Sequence, residues 1–315
     1  MSASMQIFSS LSDVSGGFGP SAVTIGKFDG VHTGHRAVID ALRELGRERG
    51  LIPTVVTFDR HPAEVLDPEH CPDYLLSPQQ KLEKLEEVGA GATLVIRFDR
   101  AFSQSPPEDF VSKVLVGALN ARLVLVGSDF RYGARGSGNI DTLSASGAAH
   151  GFEVRLVDEV LTGPGRRASS SWVREALAAG DVREATEVLG YAPSVRSVVV
   201  PGERRGRELG FPTANLKPGP EGMIPADGIY AGWLTVDGET YPAAISVGNN
   251  PTFDGVPARQ VEAYVLDQDF DLYGKTVTVA FAERLRGMVK FDSVDELIAQ
   301  LGEDVRHTRA TLGVS

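Results

Sequence analysis

"AVTIGKFDGVHTGHRAVIDAL", running from Ala22 to Leu42, joins a β-branched apolar run to an amphipathic helix pattern through a turn rich in glycine and histidine. A glycine-rich turn from a strand into a helix lets backbone N–H groups approach an anion closely, and the helix N-terminus adds partial positive charge. The stretch therefore reads as a phosphate site at the end of a parallel strand. His32 and His35 stand at the start of the helix. Three roles are open to such an i,i+3 pair: donors to phosphate oxygens, metal ligands with His61 of "TFDRHP" as a third, or turn and cap residues.

The surrounding chain repeats the strand-then-helix alternation. "PTVVTF" (53–58), "TLVIRF" (93–98), "RLVLVG" (122–127) and "EVRLV" (153–157) are short β-branched runs, each followed by a helix-compatible segment, as in a parallel sheet. Capping boxes are expected at "SPQQ" (77–80) and "SPPE" (105–108), and two short helices at 170–190, the second capped by Asp181. After Gly190 the texture changes. "VRSVVV", "IYAGWLTV", "YPAAISVG", "QVEAYVL" and "TVTVAFAERL" are strands separated by turn residues, with no helix pattern until Ser293. That spacing predicts a small antiparallel barrel or sandwich closed by one terminal helix. The expected division is residues 1–190 and 191–315, in keeping with a chain too long for one core.

Composition narrows the function classes. A net charge of −11 argues against nucleic acid or an anionic membrane as the main partner, since both reward basic surface. No apolar stretch nears the roughly 20 residues of a membrane span, and a cytoplasmic protein is expected. Cys71, the single cysteine, reads as a small neutral side chain in a Pro-rich loop.

A second phosphate-type motif lies in "PGERRGRELGFPTANL" (201–216). A basic, glycine-rich loop can fold over polyphosphate. Thr213 and Asn215 alternate along an extended segment and so share a face, and a hydroxyl beside an amide suits hydrated Mg²⁺.

The ordered set "GKFDGVHTGH", "TFDRHP", "VGSDFRYG" (126–133) and "SSSWVREAL" (169–177) resembles the nucleotidylyltransferase half of bacterial bifunctional riboflavin kinase/FAD synthetases. "GRELGFPTANL", "GIYAG" (228–232), "SVGNNPTF" (246–253), "VEAYVLD" (261–267) and "KFDSVDELIAQL" (290–301) resemble the kinase half. The resemblance implies a Rossmann-like α/β nucleotidylyltransferase domain followed by a small antiparallel β-barrel riboflavin kinase domain with a C-terminal helix. It implies ATP as co-substrate, Mg²⁺ as cofactor, and riboflavin and FMN as flavin substrates, and leaves self-association open. Carried over residue by residue, it implies His32 and His35 in adenylyl transfer and Glu262 as the base of the kinase. For ATP phosphates it implies Gly26, Phe28, Asp29, Gly34, Ser170, Ser171, Arg174, Gly202, Gly206 and Arg207. Asp129, Arg286 and Phe291 would meet the flavin, and Thr213 and Asn215 the metal. Two residues depart from the family: Trp172 stands where a polar or basic residue is usual, which would weaken triphosphate contact, and Met288 where an acidic one is common.

Overall fold

The computed structural model describes residues 4–157, 161–162, 165–202, 209–248, 259–268 and 270–314. Contacts divide the chain into two compact units, Met1–Asp73 with Pro78–Ala168, and Tyr74–Ser77 with Ser169–Ser315.

The first unit is built on a parallel six-stranded sheet of β1 (Gln6–Phe8), β2 (Ser21–Ile25), β3 (Ile52–Phe58), β4 (Ala92–Ile96), β5 (Ala121–Gly127) and β6 (Glu153–Val157), in the order β1-β4-β3-β2-β5-β6. Helices α1 (Thr33–Arg49), α2 (Pro62–Leu66), α3 (Pro78–Glu87), α4 (Arg100–Ser103), α5 (Pro107–Asp109, running into a π-helical stretch Phe110–Ala118) and α6 (Ile140–His150) lie in the connections. The apolar runs are strands because both faces are covered: Val23, Val56, Leu94 and Val124, from four adjacent strands and each 0% exposed, share one cluster, while Ala22 and Leu123 join Leu42 of α1 in another. Each such side chain contributes roughly 1.5–3 kcal/mol. The chain moves outward from β2 through β3 to β4, then returns to place β5 on the other side of β2. That reversal opens a crevice at the carboxyl ends of β2 and β5, the position where open parallel sheets bind ligands. A two-strand hairpin, β7 (Leu161–Thr162) and β8 (Arg166–Arg167), follows β6.

The second unit carries helices α7 (Ser170–Ala179) and α8 (Val182–Leu189), then a closed antiparallel barrel in the order β10-β13-β12-β11-β14-β9. Its strands are β9 (Ser194–Val200), β10 (Ala214–Leu216), β11 (Gly228–Val236), β12 (Glu239–Gly248), β13 (Gln260–Val265) and β14 (Thr276–Arg286). Tyr230 and Phe281, both 0% exposed, meet edge to face at 5.3 Å in its core. Helix α9 (Val294–Leu312) packs on β11, β12 and β14. Ser293 caps it by accepting from the Glu296 N–H at 3.2 Å.

By contact, α7 and α8 belong with the barrel, ahead of the boundary expected near residue 190. The Ala226 N–H donates to Leu177 O at 2.9 Å and Arg284 donates to Ala179 O at 3.3 Å, which ties α7 to the barrel strands. The box expected at "SPPE" does not form. The Ser105 hydroxyl turns back to Ala101 O, and Glu108 reaches α6, accepting from Ser146 and His150.

Candidate active sites

Between β2 and α1 the backbone takes a conformation that ordinary side chains avoid. Phe28 and Val31 have φ of 51° and 37°, and both are buried, at 2% and 0% exposure. Strain of this kind costs about 1–3 kcal/mol per residue and persists only where the surroundings enforce it. The Gly26 N–H donates to Val56 O at 3.0 Å and the Thr57 hydroxyl to Lys27 O at 3.1 Å, so β3 holds the turn in place. Asp29 is buried at 6% exposure.

His32 is the N-cap of α1; its Nδ1 accepts from the His35 N–H at 3.4 Å. The two imidazoles stack at 3.7 Å, and Phe28 lies 4.9 Å from the His35 ring. Gly34 makes the stack possible, since a Cβ there would stand 3.2 Å from the His32 ring. Burial first, and the Arg167 guanidinium second, lower the His32 pKa to about 4. His35 is held well below its ordinary value by burial, then by His32, Lys27 and Arg167. Both rings are therefore neutral at pH 7. With Nδ1 of His32 accepting, the proton of the neutral ring sits on Nε2, leaving an N–H donor for a ligand. Capping and phosphate donation thus do not compete. His61 caps α2 by accepting from the Ala63 N–H at 3.1 Å, and among the described residues no three His, Cys, Asp or Glu are grouped to hold a metal.

Arg167, which the sequence reading passed over, belongs to the same neighbourhood. Its guanidinium pairs with Asp129 at 3.2 Å, just beyond the carboxyl end of β5, while its charge is felt at both histidines. The only signal in the sequence was a basic pair after the glycines of "GPGRR". Phe130 and Tyr132 stack at 5.6 Å beside Asp129.

In the second unit Ser169 caps α7, accepting from the Trp172 N–H at 3.2 Å, so Ser170 and Ser171 occupy its first two helical positions and Arg174 its next turn. Trp172 does not occupy a polar face. It is 3% exposed, and its indole N–H donates to Glu184 of α8 at 2.9 Å.

The barrel gathers the other predicted group. Asn215 of β10 is directly paired with Glu262 of β13, which in turn faces Ser246 of β12. Opposed residues share a sheet face. The neighbours Val261 and Ala263 point inward at 2% and 0% exposure, as the alternation requires. The Thr213 hydroxyl donates to Glu262 Oε2 at 3.3 Å, and Asn215 Nδ2 donates to Thr213 O and Oγ1 at 3.2 Å each. Gly202 is needed here for space: a Cβ would stand 2.5 Å from the Asn215 carboxamide. Gly202, Thr213 and Asn215 open onto a cleft lined also by Gln268, Asp271 and Tyr273. Gly206, Arg207 and most of "SVGNNPTF" lie outside the described residues.

Arg286, at the end of β14, is held by α9: it forms a two-pronged pair with Asp304 at 2.8 and 2.6 Å and donates to Gly287 O at 3.0 Å. Its guanidinium carbon lies 5.9 Å from the centre of the Phe291 ring. Met288 is half exposed and approaches the position a Gly248 Cβ would take.

Comparison with known proteins bears on both units. Residues 18–172 match the FAD synthetase family model and residues 189–312 the riboflavin kinase model. Among curated relatives, the bifunctional riboflavin kinase/FMN adenylyltransferase of Listeria monocytogenes is 38% identical over 91% of each chain. That of Escherichia coli is 37% identical over 93% of each. A solved structure described as a macrolide-efflux protein from Streptococcus pneumoniae superposes with a TM-score of 0.87 at 32% identity, covering 98% of this chain and 99% of that one. The chain belongs to the bifunctional riboflavin kinase/FMN adenylyltransferases, which convert riboflavin to FMN and FMN to FAD at the expense of ATP.

Proposed function

We propose that residues 1–190 adenylylate FMN and residues 191–315 phosphorylate riboflavin, each at its own ATP site. The observation that carries this reading is the barrel's register, which sets Glu262 opposite Asn215 with the Thr213 hydroxyl 3.3 Å from its carboxylate.

In the kinase, the riboflavin primary hydroxyl attacks the γ-phosphorus of ATP, its proton passes to Glu262, and ADP leaves. Gly202 and the Gly206–Arg207 loop attend the phosphates, and ATP takes the cleft beside Thr213. The hydroxyl of Thr213 and the amide oxygen of Asn215 are hard oxygens, donors that fit Mg²⁺. Bound there, the ion would neutralise phosphate charge. Asp304 keeps Arg286 against Phe291, and that pair walls the flavin side.

In the adenylyltransferase, an FMN phosphate oxygen attacks the α-phosphorus and pyrophosphate leaves. The Nε2–H of His32, with His35, donates to the α-phosphate oxygens as charge builds. Gly26 and Gly34 allow close approach, while Phe28 and Asp29 hold the shape of the turn. Ser170, Ser171 and Arg174 hold the β- and γ-phosphates at the start of α7. Arg167 and Asp129 bound the flavin phosphate and its ring. The substrates are small molecules in the cytoplasm; a net charge of −11 offers nucleic acid no overall attraction. Macrolide efflux, the description of the pneumococcal structure, would leave both sites unused, and among the described residues no helix is long and apolar enough to cross a membrane.

Incubation with riboflavin, ATP and magnesium, with flavins resolved by chromatography, tests the assignment. A variant with both His32 and His35 replaced by Ala should stop at FMN. Asn215→Ala should make little FMN yet convert supplied FMN to FAD. Loss of both products in either variant, with the fold intact, would sink the division.

A further inference from the structure

Beyond Asp304, which holds Arg286, the terminal helix α9 carries another ion pair to the barrel. Thr308 is fully buried and its hydroxyl donates to Asp304 O at 2.8 Å, so this turn of the helix is the one seated on the strands. Arg309 follows directly. One of its guanidinium nitrogens donates to both carboxylate oxygens of Asp267, at 2.6 and 2.7 Å. Asp267 stands just past β13 with φ of 56°, a left-handed conformation that few side chains adopt and that Asp tolerates better than most. The turn leads at once to Gln268, and Asp271 and Tyr273 follow; all three line the cleft onto which Thr213 and Asn215 open. The far end of this connection is pinned to β9, since the Gly274 N–H donates to Val199 O and the Val199 N–H to Lys275 O, each at 2.9 Å. At the near end the Leu266 N–H donates to Pro242 O at 2.9 Å, and the pair with Arg309 takes over at the next residue.

We propose that Arg309 is a positioning residue for ATP in riboflavin phosphorylation, its pair with Asp267 fixing the left-handed turn that sets the cleft wall of Gln268, Asp271 and Tyr273. The proposal rests on the assignment of that cleft to the ATP of the kinase. An ion pair to an exposed carboxylate adds little to global stability, so its effect is local. A turn at positive φ keeps its shape only while its surroundings enforce it, and a cleft wall that starts from a relaxed turn presents its side chains to the nucleotide in the wrong place. Through Asp304 the same helix keeps Arg286 beside Phe291, so one element supports both the flavin side and the nucleotide side of the barrel. Neither Arg309 nor Asp267 needs to touch a substrate.

The test uses the full chain, with FMN and FAD summed and their formation from riboflavin measured against ATP concentration. In Arg309→Met the KM for ATP should rise about tenfold while kcat stays within about threefold, because Thr213, Asn215 and Glu262 keep their places. The KM for riboflavin, and FAD formation from supplied FMN, should stay within about twofold. Asp267→Asn should raise the KM for ATP as Arg309→Met does, and the double variant should be no worse than about twofold beyond either single one. An unchanged KM for ATP in Arg309→Met overturns the proposal, as do rises that multiply in the double variant, or a KM for riboflavin that climbs together with that for ATP. Should Arg309→Met fail to fold, Asp267→Asn decides, since that carboxylate is exposed: a raised KM for ATP supports the proposal and an unchanged one overturns it. Failure of the underlying assignment is seen separately, as undiminished FMN formation in Asn215→Ala.

Discussion

The Gly26–His35 turn and the Asn215–Glu262 strand pair are built from opposite materials. The first uses neutral, stacked imidazoles and positive-φ backbone, with its one carboxylate buried. The second sets an amide and a half-buried carboxylate in register on adjacent strands, with the Thr213 hydroxyl just before β10 donating to that carboxylate. On the proposed assignment of the two reactions, the difference follows the nucleophile. A phosphate monoester is already ionised near neutral pH and has no proton to lose, so its site needs donors and no base. A primary alcohol must surrender a proton as it attacks, so its site needs a base within reach.

Glu262→Gln is the substitution that should separate the two most sharply. The amide keeps the size of the carboxylate and cannot accept the proton, so FMN formation should fall about 10²–10⁴-fold while FAD formation from supplied FMN stays at the parent rate. Both rates are measured on one preparation. If FMN formation stays within a few-fold of the parent, the contrast between the sites is not one of base against donor.

His32→Ala probes the other half. FAD formation should drop about 10²–10³-fold, the usual effect of removing one donor to a charged transition state, and riboflavin phosphorylation should be untouched. His32→Gln, which restores an N–H donor, should recover part of the loss. Equal damage from the two substitutions would point to the stacked ring, rather than its proton, as what matters.

These contrasts were partly visible in the sequence. The turn, the strand-helix alternation and the shared face of Thr213 and Asn215 depend on local spacing, and local spacing is what a sequence displays; Glu262 joins them only through the β10–β13 pairing. Features made by long-range contact were hidden. Strand β1 has only three residues, Gln6–Phe8, and exists because it pairs with β4 more than 80 positions away. Arg167 looks like a solvated basic residue until the fold carries it to Asp129 and His32. Glu108 lacks its expected cap role because α6 offers it Ser146 and His150. Trp172 looked like a blemish in a phosphate motif, yet it joins α7 to α8.

The buried histidines also make the two units respond differently to acid. In the unfolded chain His32 takes up a proton below about pH 6.5, whereas in the folded chain it resists until about 4. Between those values the unfolded state binds more protons, so stability falls as pH is lowered through that range, by on the order of 3 kcal/mol for His32 alone. His35 acts in the same direction. The second unit has no counterpart: its one histidine, His307, is exposed and pairs with Glu303 at 2.8 Å. Hydrogen exchange followed by peptide mass should therefore show α1 and β2 losing protection from pH 7 to 4 before the barrel strands do. Replacing His32 by Asn should flatten that dependence. Barrel strands opening first would show that other groups dominate the acid response.

The smallest effect is expected at Trp172. Its indole N–H reaches Glu184 at 2.9 Å and its ring is 3% exposed within α7 and α8. Trp172→Phe keeps most of the apolar ring and removes the hydrogen bond, leaving Glu184 to find water, so stability should fall by about 1 kcal/mol. For a unit of this size that is a drop of about 2–8 °C in Tm. Because the ring faces α8, the KM for ATP in FAD formation should not change, although Ser170, Ser171 and Arg174 share its helix. Differential scanning calorimetry and the adenylyl-transfer assay on the same protein separate the outcomes. A raised KM with an unchanged Tm would mean that the residue unusual for the family alters the phosphate contact itself. A lowered Tm with an unchanged KM would make Trp172 part of the support of α7, leaving the start of that helix to meet the phosphates through its serines and arginine.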